Sequence, residues 1–514
     1  ARLIPVNDGA ASGLPLSWVS GFYAEADTGP TRRPEQPIRD NLNTRIPLLI
    51  RGDMESLIHV HLLTGWLPAS LFGITASLLL VTLIVKPRIS RQRAALLEFV
   101  SALCAGSVGY VLIWLMSDKW MLFGVEVGWL VKFVVTSAAA VLGLTIMLIV
   151  DSAAFRRTLA CILVPFIILS AALGINMIYG EYGTLGTIFG IPNYRPLETK
   201  KSKSAAMTIT QWKELARADR LPSMPAQGEI RTVSIPATVS KFVARDADVY
   251  LPPAALSRNP PALPVMVMLA GQPGSPDRFF EASDITVMLN DYAKRHHGLA
   301  PIVISPDQNG STKQNSLCAD THVYGKAETY LTVDVTRWVI DNLPVSESPD
   351  HWLIGGFSQG GTCSTQLGPA HPDLYGHIFS ADGELEPTSH NRTETINRYF
   401  NGDAAAYMKH IPTEIIARMS PSTQTLFSTA GAWDKESQRN QEIIGRAALK
   451  AGMGVTTLIS KRSGHDWHAV QAALKPEIAI FGTQSGLGNN TVPLDAYPNI
   501  QIVDLLSTTT TEVK

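Results

Sequence analysis

Residues 351–368 read HWLIGGFSQGGTCSTQLG. A short apolar run, His351 to Ile354, meets Gly355-Gly356-Phe357-Ser358-Gln359-Gly360-Gly361 and passes into a helix-compatible segment. The pattern is strand, sharp turn, helix, with a serine at the tip of Gly-x-Ser-x-Gly. Such a turn forces Ser358 into a strained backbone conformation and needs small neighbours, so that strand and helix do not collide. It also exposes the hydroxyl and aims the N-terminus of the following helix at it. Free N–H groups and a positive dipole end suit a developing oxyanion. A plain glycine-rich turn would carry the same letters, but not the partner residues that follow in order.

Working outward from the elbow, strands and helices alternate. Residues 230–235 and 247–251 are expected as an opening pair of strands. The apolar run 263–270 suits a strand buried on both faces. Helix is expected at 283–295, strand at 301–305 and an amphipathic helix at 327–342. Strands 351–355, 378–381 and 424–429 follow, then a helix at 436–451 and a final strand at 455–459. This alternation predicts an α/β domain with a mostly parallel sheet over 230–484, its reactive groups on loops at the carboxyl ends of the strands.

An alcohol is a poor nucleophile at neutral pH, so Ser358 needs a base within hydrogen-bond reach and an anion to orient that base. The late loop Ser463-Gly464-His465-Asp466-Trp467-His468 offers two histidines. His465 follows a glycine soon after the last strand and can project over the sheet edge. His468, already in a helix, reads as structural. For the acid, Leu426-Phe427-Ser428-Thr429 runs into Ala430-Gly431-Ala432-Trp433-Asp434, which places Asp434 between strand and helix; Glu436 is the alternative. The order Ser358, Asp434, His465 is that of α/β-hydrolases. Two backbone donors are expected to hold the oxyanion. One is the N–H of Gln359; the other lies in Gly271-Gln272-Pro273-Gly274, where proline has no N–H and Gln272 is assigned.

The chain has 514 residues, too many for one ordinary domain. Its net charge of −1 provides no global field to recruit nucleic acid. Only 17% of residues are charged, and the apolar excess sits between residues 57 and 180. Four stretches there, 62–85, 94–116, 127–150 and 158–179, are long enough to cross a bilayer. Lys132 is expected to snorkel, Glu126 to lie at the interface, Pro165 to kink the fourth span and Asn176 to bond a neighbouring helix. The first loop carries Lys86, Arg88, Arg91 and Arg93, and the third Arg156 and Arg157. Positive loops stay in the cytoplasm, so both chain ends and the α/β domain are expected outside. No cleavable signal peptide is visible. The chain starts with Ala, which fits a segment upstream of it. Residues 1–56 read as an irregular tail, 181–229 as a linker with a short helix at 210–218, and 485–514 as a second tail.

Of the four cysteines, Cys104 and Cys161 fall in spans as small apolar fillers. Cys318 and Cys363 lie in the outer domain, where a disulfide can persist. A bridge would pin an active-site loop onto the helix after Ser358; two buried free thiols are the alternative.

Met268-Leu269-Ala270-Gly271-Gln272, Ser305-Pro306-Asp307, the Gly355–Gly361 elbow and Gly464-His465-Asp466-Trp467 together make residues 230–482 resemble the esterase D-type α/β-hydrolases. That group includes enterochelin esterases and cell-envelope mycolyltransferases. The chain also resembles membrane esterases that join a four-span anchor to this domain. The resemblance implies the same Ser-His-Asp triad, a backbone oxyanion hole, and no metal or other cofactor. Asp307 is then expected to shape the site's rim. Mycolyltransferases are mostly secreted without an anchor, and many use Glu where this chain has Asp434, so hydrolysis is expected before acyl transfer. The expected function is a membrane-anchored extracytoplasmic serine esterase acting on acyl or aminoacyl esters of envelope lipids or glycolipids. The alternatives are an acyltransferase using the same acyl-enzyme, and an accessory subunit whose spans dock into a larger membrane complex.

Overall fold

The computed structural model describes residues 57–58, 60–120, 127–189, 194–198, 205–489 and 492–506. The tail 1–56, Glu126 and residues 507–514 lie outside the described residues.

A long apolar run satisfies its backbone internally only as a helix. Four helices of this kind form: α1 (Trp66–Ile84), α2 (Arg91–Trp114), α3 (Trp129–Val150) and α4 (Ala154–Tyr179). All four are long and apolar enough to cross a membrane. Their outward faces carry exposed Leu80, Phe99, Leu103 and Phe133, the reverse of a water-soluble bundle. Small residues let α2 and α3 approach closely. A Cβ on Gly143 would lie 2.4 Å from the Ala105 Cβ and 2.6 Å from the Ser101 carbonyl oxygen.

Several polar residues of this region are engaged. Lys132 Nζ reaches Asp118 Oδ1 at 2.7 Å, so its charge is paired. Asn176 does not bond another helix. Its side chain donates to the Tyr182 carbonyl and accepts from the Tyr182 N–H, closing the turn after α4. Arg156, read from sequence as a loop cation, is 2% exposed. It donates to Glu98 Oε1 at 2.9 Å, the Thr82 carbonyl and Ser152 Oγ, joining α4 to α1 and α2. Cys104 and Cys161 are unpaired and face outward.

The second part of the chain builds on strands β1 (Arg195–Pro196), β2 (Glu229–Val233), β3 (Ala247–Leu251), β4 (Val265–Leu269), β5 (Ile302–Ser305), β6 (Asp320–Thr321), β7 (Gly325–Lys326), β8 (Trp352–Phe357), β9 (His377–Ala381), β10 (Thr425–Gly431), β11 (Gly454–Ser460) and β12 (Ile500–Val503). Ten of them form one sheet in the order β1-β2-β3-β5-β4-β8-β9-β10-β11-β12, while β6 and β7 pair separately. The run from β5 to β11 is parallel throughout. Antiparallel strands lie only toward the two edges. Every residue of β4, β5, β8 and β9 is buried, as continuous apolar strands between two helical layers require. The covering helices used below are α5 (Pro276–Ala282), α6 (Ile285–Arg295), α7 (Val335–Asn342), α8 (Gln359–Ala370), α9 (Lys435–Lys450) and α10 (Trp467–Gln484). This is an α/β-hydrolase domain following four apolar helices. Strand β11 is not the last strand: β12 pairs antiparallel with it, so part of the expected C-terminal tail closes the sheet. The expected helix 327–342 is interrupted by a π turn at Tyr330–Asp334. Helices Arg392–Phe400, Ala404–Met408 and Pro412–Arg418 fill the long excursion between β9 and β10.

The last apolar helix runs straight into the second part. Glu181, two residues after α4, accepts from the indole N–H of Trp467 at 3.3 Å. Arg278 of α5, 4% exposed, donates to the carbonyls of Glu181 and Thr187 and lies 4.6 Å over the Tyr182 ring. On α3, Trp129 meets Trp433 edge to face at 5.9 Å.

Candidate active site

Strand β8 ends at Phe357 and α8 begins at Gln359, so Ser358 alone makes the turn, with φ 55° and ψ −117°. Such a conformation costs about 1–3 kcal/mol for a residue with a side chain. The surroundings enforce it. The Ser358 N–H bonds the Ala381 carbonyl of β9 at 2.9 Å, and the Thr362 N–H bonds the Ser358 carbonyl at 3.0 Å. At Gly360 the helix passes so near β4 that a Cβ would lie 2.1 Å from the Leu269 carbonyl oxygen. Only glycine fits there.

Two helix caps position the partners. Asp434 is the N-cap of α9: its Oδ1 accepts from the Ser437 N–H at 3.0 Å, which leaves Oδ2 free to take His465 Nδ1 at 2.8 Å. Asp466 is the N-cap of α10, accepting from the His468 N–H and, across the loop, from the Gly464 N–H at 2.7 Å. His465 is therefore held between two capped residues. Its Nε2 lies 2.8 Å from Ser358 Oγ. A carboxylate only accepts, so Nδ1–H points at Asp434 and Nε2 faces the Ser358 hydroxyl, where it takes the hydroxyl proton when the ring is neutral. The structure thus brings Ser358, His465 and Asp434 into one hydrogen-bonded row. Glu436 is exposed in the first turn of α9, and His468 turns aside to Asp466.

Charge follows from this packing. Burial opposes an imidazolium at His465, yet the hydrogen bond to Asp434 and the charges of Asp382, Asp434 and Glu384 outweigh it and push the pKa up to about 9. Burial also opposes charge on Asp434, but the bonds from His465 and Ser437 bring it below the usual carboxylate range. Asp382, next after β9, is fully buried; its Oδ1 accepts from the Gly431 N–H at 2.9 Å, and burial drives its carboxyl far up. Among the described residues, Asp382, Asp434 and His465 are the one trio whose ligand atoms lie within 4.8 Å of one another, the spacing a metal would need. Both His465 nitrogens are already engaged, so a cation would have to break that row.

A cleft opens beside Ser358, lined among others by Gln272, Asn315, Gln359, Glu384 and Thr388. Gln359 is the first residue of α8, so its N–H has no intrahelical acceptor. Its side chain is locked by a reciprocal amide pair with Asn309 and a further bond to Asn315. Gln308 ties the same loop to the Ala270 carbonyl. Asp307 is wholly buried below the rim. It takes Arg245 at 2.8 Å and the N–H groups of Asn309 and Gly310, and these bonds bring it below the usual range despite its burial. Cys318 and Cys363 form a disulfide that fastens this loop to α8. Asp382, Glu384, Gln308 and Asn309 escaped sequence reasoning. An Asp or Glu beside Gly383, and Gln-Asn before Gly310, read as ordinary turn residues.

Residues 244–479 match the family described as putative esterase. Over 337 residues the chain is 31% identical to an uncharacterized protein of Corynebacterium glutamicum, a match covering 64% of this chain and 77% of that one. Among solved structures, the S-formylglutathione hydrolase of Agrobacterium tumefaciens aligns with TM-score 0.43 at 16% identity, over 51% of this chain and 99% of the other. The enterobactin esterase of Shigella flexneri aligns with TM-score 0.35 at 13% identity, over 51% and 64%.

Proposed function

Because the chain belongs to the putative esterase family, we propose that it is a membrane-anchored serine esterase that hydrolyses acyl or aminoacyl esters of envelope lipids or glycolipids outside the cytoplasm. The observation that carries this reading is the His465 imidazole, 2.8 Å from both the Ser358 hydroxyl and the Asp434 carboxylate. Ser358 Oγ attacks the ester carbonyl carbon while its proton passes to His465 Nε2. Asp434 holds the ring and stabilises the imidazolium; general-base help of this kind contributes roughly 10²–10⁴-fold. The oxyanion points at the N–H of Gln359 and that of Gln272. Collapse breaks the ester C–O bond, and the leaving alkoxide takes the proton from Nε2. Water then enters, gives its proton to His465 and releases the acid, regenerating Ser358.

A lipid substrate is supported by the site's neighbours. Trp433 precedes Asp434 and touches Trp129 at the start of α3, and Trp467 follows His465 by two residues and bonds Glu181 at the end of α4. Lys86 and Arg88 between the first two helices, Arg91 and Arg93 in the first turn of α2 and Arg157 in the first turn of α4 support an outward-facing esterase domain. The test is labelling of detergent-solubilised protein by a fluorophosphonate probe, wild type beside Ser358→Ala. Labelling of wild type alone, together with ester turnover lost in the variant, is the expected result. Turnover that survives Ser358→Ala rejects the reading.

A further inference from the structure

The cleft beside Ser358 is small, about 50 Å³. One buried water needs about 10–15 Å³, so the space is that of a few waters. It suits a short acyl group. The wall is polar, yet most of its hydrogen-bonding capacity is consumed internally. Gln359 is saturated by Asn309 and Asn315. Asn315 donates to the Thr388 carbonyl and accepts from the Leu317 N–H.

The charged side chain of the wall, Glu384, is an exception. Its backbone N–H is pinned to Thr362 Oγ1 at 2.9 Å, which fixes it on the wall. Its carboxylate receives only a long 3.4 Å bond from Thr388. Among the described residues it has no Lys or Arg partner, whereas neighbouring Glu386 pairs with Arg392 at 3.3 Å. The charged groups that act on it are His465, Glu436 and Glu386, two of the three negative. Burial raises its pKa although the charge of His465 opposes the shift, the sign of a carboxylate held from water with no Lys or Arg beside it. A cation entering the cleft would relieve that cost.

We propose that Glu384 is the anchor for a protonated amine on the acyl group, and that the preferred substrates are α-aminoacyl esters. The proposal rests on the esterase reading above, with Ser358 as nucleophile. In an aminoacyl ester the ammonium lies one carbon from the carbonyl that Ser358 attacks, so both fit the same short cleft. Glu384 is then a specificity-determining residue.

The experiment compares kcat/KM at pH 7 for the p-nitrophenyl esters of L-alanine, L-lactate and propionate with the full-length, solubilised protein. The three share a skeleton and differ in bearing an ammonium, a hydroxyl or neither. The expected alanyl preference over both others is about tenfold or more, the scale of one hydrogen bond to a charged group. Glu384→Gln should collapse the ratio, and Glu384→Asp should keep part of it. Any effect of Glu384 on His465 acts on all three esters and cancels in the ratio. Fluorophosphonate labelling of each variant reports that its site is folded. Equal rates for the alanyl and lactyl esters, or a ratio unchanged in Glu384→Gln, overturns the proposal alone when Ser358 still labels. Absence of both labelling and turnover overturns the esterase reading, and this proposal with it.

Discussion

The indole N–H of Trp467 donates to Glu181 Oε2 at 3.3 Å, and that bond ties the first residue of α10 to the chain leaving α4. The Trp467 ring also lies 4.7 Å from that of Phe357, which is in turn 5.3 Å from the His465 ring. The apolar helices therefore touch the reactive row through two aromatic contacts. Trp467→Phe removes the donor and keeps most of the packing. Burial already pushes the Glu181 pKa up, with Arg278 and Trp467 opposing the shift, so losing one donor leaves a costlier carboxylate. The expected loss is about 1–3 kcal/mol of stability. Turnover should fall through kcat rather than KM, since ring position and not substrate contact is disturbed. Thermal unfolding in detergent and steady-state kinetics measure the two effects.

Activity should depend on pH through His465. With its pKa up at about 9, the neutral base accumulates only as pH rises through that value. Hence kcat/KM should climb toward pH 9 and then level off. The same group stabilises the fold in the opposite sense. Its folded pKa exceeds the ordinary 6.5, so its contribution is complete below about 6.5 and fades as pH rises toward 9. Asp382 is one of the charges holding His465 up. Asp382→Asn should move the activity limb to lower pH, and a pH–rate profile of the two proteins reads the displacement directly. An unmoved limb would show that Asp382 carries no charge in that range.

What was legible in the sequence, and what was not, divides by the range of the interaction. The elbow declares itself because Gly356 and Gly360 sit at fixed offsets from Ser358, each where strand and helix nearly touch. Asp434 and His465 stand at strand-to-helix junctions, which composition marks well, and the structure puts both against each other. The four apolar helices begin and end within a few residues of their expected limits. Asp382 is different: its significance comes from β9 lying beside β10, a pairing no local pattern encodes. Strand β12 is four residues long and follows a polar stretch, so nothing but its partner β11 reveals it. Arg156 looked like a loop cation because its three partners lie 74, 58 and 4 residues away.

That buried Arg156 gives a prediction for the helices alone. Its guanidinium and the Glu98 carboxylate are 2% and 13% exposed, so removing one partner strands the other. Arg156→Ala should destabilise the bundle by about 3–5 kcal/mol, and Glu98→Ala by a similar amount. Replacing both by methionine should recover most of the loss, because an apolar pair needs no desolvation. Thermal midpoints of the three variants in one detergent check it. A double variant as unstable as the singles would mean that the bonds to Thr82 and Ser152, not the ion pair, hold α4.

The disulfide between Cys318 and Cys363 closes a loop of 45 residues that carries β6, β7, α7 and β8. Constraining an unfolded loop of that length is worth about 4 kcal/mol in the chain-entropy model. It also holds Leu317 and Asn315 against α8, where both line the cleft beside Ser358. Cys318→Ala/Cys363→Ala should therefore lower the unfolding midpoint. It should also raise KM more than it lowers kcat, since the cleft wall loosens while the bonds of His465 to Ser358 and Asp434 do not involve the bridge. Unfolding curves and ester kinetics of the double variant test both parts. Equal loss in kcat with KM unchanged would assign the bridge to the elbow rather than to the cleft wall.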